Sequence, residues 1–326
     1  MSGGLGEFEL IDALVARLDP AADGLGIGDD AAAWEATPGK LVVATTDMLV
    51  QDVHFRLDWT SARDLGWKAL AVNLSDLAAM GAEPGRALVS VALLAEQAGL
   101  VQEMYEGLAE LARSSGTSVV GGDTVRTSGP LVVNVAIVGE VEPGRLLRRD
   151  AAVPGDLVLV TGCVGASAAG LELLLDGDAE RLSTPEAGQL LVAHHRPQPR
   201  LTAGRAIARL GLRCAIDISD GVASEAWHLA RASGVEIRLE PGLLPLHHAA
   251  VSMLGEARAR GLALSGGEDY QLLFTAPEDR LREIVEAMAP EGPVTVVGRV
   301  TGRYEGGRVE LIGDAVDAHR TGYVAF

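Results

Sequence analysis

The chain has 326 residues, 48% of them hydrophobic and 22% charged, with a formal charge of -18. That length and composition supply hydrophobic cores for two domains of roughly 150 residues each, while the acidic balance argues against broad nucleic-acid binding and against docking on an anionic membrane. Cys163 and Cys214 are too few for a disulfide framework and read as two free, buried thiols, and neither a secretory leader nor a membrane-length apolar run is present, so a cytoplasmic protein is expected.

In chain order, Phe8, Ile11, Leu14, Val15 and Leu18 recur at helical spacing and predict a helix over residues 7–18, stopped by Asp19-Pro20. A loop carrying Gly26-Ile27-Gly28-Asp29-Asp30 precedes a short buried strand, 41–44, with Thr45, Thr46 and Asp47 at its far end. A long, largely apolar helix begins at Ser61, carries Asn73, Ser75 and Asp76, and ends at Gly81. Strand 88–94, helix 101–114 and strand 118–120 lead into Gly121-Gly122-Asp123, and residues 131–140 read as a further strand. The basic, turn-rich segment 143–154 contains Arg145, Arg148 and Arg149, and a domain boundary is placed there, giving domains 1–142 and 143–326.

The second half reads as strand 157–161, a helix opened by residues 162–170, a helix over 201–210 after a proline-rich stretch, and strand 215–218. That strand meets Ser219-Asp220-Gly221, followed by helix 222–232 and strand 236–239. Ser265-Gly266-Gly267-Glu268-Asp269 precedes strand 270–275; helix 278–288 and strands near 294–300 and 309–312 complete the pattern. Strands sometimes follow one another without a helix, so the fold class is α/β with α+β character and mixed sheets. The adjacent pairs His194-His195 and His247-His248 lack metal-ligand spacing and read as surface residues.

Five separated carboxylate groups stand among glycines and hydroxyls: Asp29-Asp30, Asp47, Asp76, Asp123, and Asp217 with Asp220. Small residues leave room for a ligand and aspartates are hard oxygen donors, the chemistry of magnesium on a polyphosphate. Asp217 and Ser219 share one face if the strand persists, whereas Ser219 or Asp220 could equally cap the following helix. Asp76 could lie on a solvated stripe, and Tyr105 could be a packing residue of its helix. A phosphate loop of the GxxxxGK[ST] type, a protein-kinase signature and a dinucleotide fingerprint are all missing. The residues alone leave open a nucleotide-binding protein without turnover.

The ordered motifs resemble those of the thiamine-monophosphate kinase family, in the wider PurM-like group that includes aminoimidazole ribonucleotide synthetase and selenide water dikinase. The matching segments run from Gly6-Glu7-Phe8 through Gly26–Ala31, Thr45-Thr46-Asp47, His54-Phe55, Lys68–Gly81, Gly121–Thr124 and Asp217–Gly221 to Ser265–Tyr270. The resemblance implies a two-domain PurM-like fold whose N-terminal domain forms the core of a homodimer, and ATP-dependent phosphorylation of thiamine monophosphate to thiamine diphosphate. It implies Mg²⁺ ligands at Asp30, Thr45, Thr46, Asp47, Asp76, Asp123, Asp217 and Asp220. Nucleotide contacts fall at Thr46, Tyr105, Gly122, Arg149 and Ser219, and thiamine-phosphate contacts at His54, Glu268 and Tyr323, with no discrete catalytic acid or base. Neither cysteine occupies the glycine-rich N-terminal region where a selenide dikinase carries its reactive residue, and the tail Thr321–Phe326 has no cysteine.

Overall fold

The computed structural model describes residues 7–20, 24–28 and 30–313, so Asp29, Tyr323 and the matched Gly6 lie outside the described residues. Two units cluster separately: residues up to Leu77 with Glu83–Pro143, and Ala78–Ala82 with Gly144 onward. The N-terminal unit contains α1 (Glu7–Val15), β1 (Leu41–Val50), α2 (Ala62–Ala79), β2 (Glu83–Leu93), α3 (Ala98–Ser115), β3 (Ser118–Arg126) and β4 (Val132–Val141), the last turn of α2 clustering with the other unit. Its sheet has the order β1-β4-β2-β3; β2 and β3 are parallel and the other neighbours antiparallel.

β1 pairs with β4 along its whole length, from Leu41 opposite Val141 to Val50 opposite Val132. Thr45, Thr46 and Asp47 therefore sit inside a strand and not beyond its end, because the backbone ladder continues through them. β3 likewise runs on through Gly121, Gly122 and Asp123 to Arg126, with a bulge that leaves Val120 unpaired. Alternate β4 residues Val133, Val135 and Ile137 are fully buried, as are Leu65, Leu70, Leu74 and Leu77 of α2 and Met104 and Leu108 of α3. Each such leucine contributes about 1.5–3 kcal/mol through burial.

The C-terminal unit contains β5 (Leu157–Thr161), α4 (Ala166–Asp176), α5 (Ala179–Leu182), α6 (Pro185–His195), α7 (Leu201–Arg209), β6 (Ala215–Asp217), α8 (Val222–Ser233) and β7 (Val235–Leu239). It continues with α9 (His248–Leu254), α10 (Glu256–Ser265), β8 (Leu272–Ala276), α11 (Leu281–Met288), β9 (Val294–Arg303) and β10 (Arg308–Leu311). The six-stranded sheet runs β10-β7-β9-β5-β8-β6, with only β10 and β7 parallel among its neighbours. All five β5 residues are buried. Val158 and Val160 join the core under α8, while Leu157 and Leu159 join the core of α7 and α11, so this strand is covered on both faces.

Two sequence expectations fail on burial. Cys163 is exposed, while Cys214 is buried; both are free thiols. His194 and His195 are 4% and 9% exposed, because they close α6 on its packed side. The α6 and α9–α10 helices carry short, alanine- and glycine-interrupted apolar patterns, which hid them from periodicity.

Glycine governs one helix crossing in the N-terminal unit. A Cβ on Gly66 of α2 would lie 1.8 Å from the Met104 carbonyl oxygen, and one on Gly107 of α3 would lie 1.8 Å from the Arg63 carbonyl oxygen. Only hydrogen side chains allow this backbone approach, which sets α3 and hence Tyr105. Gly107→Ala is expected to lower stability in urea titrations by about 1–3 kcal/mol. Gly99→Ala, on the same helix with no atom within 4 Å, should be close to neutral.

Candidate active site

In the N-terminal unit, β1 turns alternate side chains to opposite faces. Thr45 and Asp47 face α2: the Thr45 hydroxyl donates to Asp76 Oδ2 at 2.5 Å, and the Asp47 backbone N–H donates to Asn73 Oδ1 at 3.0 Å. Asn73 is locked in turn by donating to the Ala69 carbonyl at 3.0 Å. Asp76 is thus no idle carboxylate of a solvated stripe. Burial, followed by the negative charge of Asp76, pushes the Asp47 carboxyl up to about 6. Two acidic groups share this face, and each raises the cost of ionising the other.

Thr46 points the other way and donates to the Val135 carbonyl at 3.0 Å, so it does not share the Asp47–Asp76 face. Asp30 is exposed in the loop after Gly28. Tyr105, Gly122 and Asp123 line one pocket of about 140 Å³, together with Ile11, Leu14 and Val89. Burial pushes the Tyr105 phenol up, keeping its hydroxyl neutral. A Cβ on Gly122 would lie 1.8 Å from the Val89 carbonyl oxygen, so glycine is required there by strand packing whatever the pocket holds. After β1, Asp52 adopts φ +64° in a tight turn, and the Val50 N–H donates to His54 Nδ1 at 3.0 Å. That bond places the proton of neutral His54 on Nε2, on an exposed ring.

In the C-terminal unit, β6 ends at Asp217, which is 3% exposed. The chain then runs beside residues 268–271: Ile218 N–H donates to the Gln271 carbonyl at 2.7 Å, Glu268 N–H to that of Ser219 at 2.8 Å, and Tyr270 N–H to that of Ile218 at 2.9 Å. Gly221, at φ +103°, is the α8 cap residue, and no side chain caps this helix. The capping reading of Ser219 and Asp220 therefore does not hold. A Cβ on Gly221 would come within 2.6 Å of the Leu264 carbonyl oxygen, which keeps the turn tight. Burial raises the Asp220 carboxyl; His228 opposes the shift and Glu268 adds to it.

Glu225 was not singled out from sequence. Its carboxylate is buried, accepts the Asp220 N–H at 3.1 Å and lies 3.4 Å from the Ser219 hydroxyl. Burial first, then the charge of Asp217, pushes it up to about 8, with Arg149 pulling the other way. The signal was present: Glu225 falls on the apolar stripe of α8, three residues after Val222 and four before Leu229. Arg148 is paired with Asp150, its Nε 2.8 Å from Oδ1, whereas the exposed Arg149 faces Glu225 and His228. Asp269 accepts the Gly165 and Ser167 N–H groups at 2.6 and 3.2 Å and so occupies the start of α4.

Among the described residues no group of three or more His, Cys, Asp or Glu forms a ready-made metal cage. Pairing, and not clustering, is the pattern here. Magnesium commonly takes one or two carboxylates and completes its shell with water and substrate phosphates.

Two family models match: AIR synthase related protein, N-terminal domain, over residues 28–141, and its C-terminal domain over residues 153–310. The thiamine-monophosphate kinase of Bacillus subtilis (strain 168) is 39% identical over 297 residues, covering 90% of this chain and 91% of that protein. The crystal structure of thiamine-monophosphate kinase from Stenotrophomonas maltophilia K279a superposes with a TM-score of 0.85 at 37% identity, covering 96% and 98% of the two chains. A structure described as AaThiL complexed with AMPPCP and TMP gives a TM-score of 0.78 at 36% identity, covering 99% and 97%.

The buried carboxyl of Glu225 sets a pH dependence. Folded, it holds its proton to about 8 against an ordinary 4.5, so the folded chain binds more protons across that window and stability falls as pH rises through it. In metal-chelating buffer the melting temperature should drop over this range, and Glu225→Gln should flatten the drop.

Proposed function

Because the chain belongs to the thiamine-monophosphate kinase family, within the AIR synthase-related proteins, and phosphorylates thiamine monophosphate to thiamine diphosphate with ATP, we propose that transfer is direct and in line, with the aspartates as magnesium ligands and not as bases. The observation that carries this is the Asp47–Asp76 pair, held by Thr45 and Asn73 with Asp47 pushed up to about 6. Such a pair is unfavourable alone and is satisfied by a hard cation, so the donor set fits magnesium.

The residues that would hold the ions are Asp30, Thr45, Asp47, Asp76 and Asp123 in the N-terminal unit, and Asp217 and Asp220 in the C-terminal unit; the Thr46 side chain points to the other face, so that residue keeps its assignment from the family resemblance alone. Bound there, magnesium would offset the charge of the ATP phosphates and of the acceptor phosphate. The acceptor oxygen is already anionic near neutral pH, so no side chain need remove a proton. Arg149 offers the planar fork that binds phosphate through two bonds. Ser219 supplies a hydroxyl to the nucleotide. Tyr105 and Gly122 supply the wall of the pocket beside Asp123, which supports placing the nucleotide against them. His54 and Glu268 are assigned to the thiamine phosphate, His54 with its Nε2–H available as a donor; Tyr323 keeps the same assignment from the family resemblance alone.

A homodimer is part of this proposal. Val42, Met48, Leu88 and Val125 are 58%, 54%, 43% and 47% exposed on the N-terminal sheet. Register places them on one face, since Val42, Thr46 and Met48 alternate along β1 and pair across β4 and β2 toward β3. An apolar sheet face of this kind needs a cover. A cytoplasmic location is also proposed, supported by the two free thiols.

Asp47→Asn and Asp217→Asn should each lower magnesium-dependent turnover by about 10²-fold or more with little loss of melting temperature, the scale on which one electrostatic stabiliser acts. Normal turnover in either would remove that residue from the ligand set. His54→Ala should raise the KM for thiamine monophosphate while leaving ATP binding, measured without acceptor, unchanged. In sedimentation experiments Val42→Glu should shift a dimer toward monomer; a wild-type monomer would overturn the assembly.

A further inference from the structure

We propose that His194 is a positioning residue for the acceptor, holding the Glu268 carboxylate in its binding orientation; this rests on the assignment of Glu268 to the thiamine phosphate. His194 sits at the end of α6, far in sequence from every motif of the site, and is 4% exposed. Its Nδ1 lies 3.4 Å from Glu268 Oε2 and 3.1 Å from the Ser167 hydroxyl. An ionised carboxylate only accepts hydrogen bonds, so a favourable contact requires the proton on Nδ1. The Ser167 oxygen then shares that proton, and the ring is oriented by α4 on one side and Glu268 on the other.

The main chain of Glu268 is clamped independently. Its N–H donates to the Ser219 carbonyl at 2.8 Å, and the Asp269 carboxylate is fixed by the Gly165 and Ser167 N–H groups. Glu268 itself adopts φ +71°, a conformation uncommon for a residue with a side chain. Such a backbone persists where its surroundings over-determine it, and it commonly marks a functional position. The main-chain clamp acts on the backbone and not on the carboxylate itself, whose side chain is 26% exposed. His194 meets it from the buried side, through Oε2. Thiamine monophosphate carries a permanently cationic thiazolium and an amino-substituted pyrimidine, and an ionised carboxylate suits either as charge partner or acceptor. Fixing a binding group before the ligand arrives lowers the ordering cost of binding.

The test is steady-state kinetics of the full chain with ATP and thiamine monophosphate varied in turn, for Glu268→Gln, His194→Ala, His194→Asn, Ser167→Ala and the double variant His194→Ala/Glu268→Gln. His194→Ala should raise the KM for thiamine monophosphate about tenfold, the scale of one hydrogen bond to a charged group, and leave the ATP KM within about twofold. Asn places a donor near the Nδ1 position and should restore most of the loss; Ser167→Ala should move the same parameter in the same direction but less. The double variant should be no worse than Glu268→Gln alone, because His194 acts through that carboxylate. If Glu268→Gln raises the acceptor KM while His194→Ala and Ser167→Ala leave it unchanged, the positioning role is overturned and the substrate role of Glu268 stands. If Glu268→Gln itself leaves the acceptor KM unchanged, the substrate role fails and the inference with it. Equal increases in both KM values for His194→Ala, without rescue by Asn, would reduce His194 to a packing residue. Should His194→Ala not fold, the Asn and Ser167 variants still decide between these outcomes.

Discussion

Repulsion between neighbouring carboxylates is the constraint around which both units are arranged. In the N-terminal unit the Asp47 carboxyl stands against Asp76, and in the C-terminal unit Glu225 stands against Asp217. Burial is the larger cause of the upward shift at Asp47 and Glu225, and the like charge adds to it. Nothing in a hydrophobic core favours such pairs. They persist because the surrounding polar atoms fix them: Thr45 on Asp76, Asn73 on the Asp47 backbone, and the Asp220 N–H on Glu225. The unfavourable electrostatics become useful once a divalent cation brings the opposite charge and a polyphosphate completes its shell, and that exchange is the basis of the mechanism proposed here.

The scaffold meets this constraint with close backbone approaches. Gly66 and Gly107 let α2 and α3 touch through their main chains, fixing the helix that carries Asn73 and Asp76 and the helix that carries Tyr105. Gly122 does the same for β3 against β2, while Gly221 and Gly267 press the Ser219–Asp220 turn against neighbouring backbone. The glycines of the motifs thus serve packing at least as directly as they serve a ligand. A site built on strand and helix backbone at van der Waals distance has little room to relax, which suits the positioning of charged groups.

Much of this was legible in the sequence. The alternation of strands and helices, the mixed sheets and the segments bearing Asp47, Asp76, Asp123 and Asp217 could be read from apolar periodicity and small-residue punctuation. Strand extent could not, because Thr45-Thr46-Asp47 and Gly121-Gly122-Asp123 look like strand ends by composition, yet remain in their ladders through pairing with distant residues. Helices α6 and α10 have apolar patterns broken by alanine and glycine, so periodicity does not mark them, and the burial of His194 is hidden with α6. Glu225 stands beside no motif glycine, and its signal in the sequence is instead a charge on an apolar helical stripe. The likeness of Arg148 and Arg149 in sequence also dissolves in three dimensions, as Asp150 occupies the first and the second faces Glu225 and His228.

Among the described residues the carboxylates gather in no group of three or more, so the account has metal and nucleotide assembling together. Calorimetric titration of Mg²⁺ into the protein, with and without a non-hydrolysable ATP analogue, tests this most directly. The account predicts weak Mg²⁺ binding to the nucleotide-free chain and at least about tenfold tighter binding when the analogue is present, with the reciprocal gain for the analogue. Equal Mg²⁺ affinity in the two titrations would contradict it, for the aspartates would then form a complete metal site of their own.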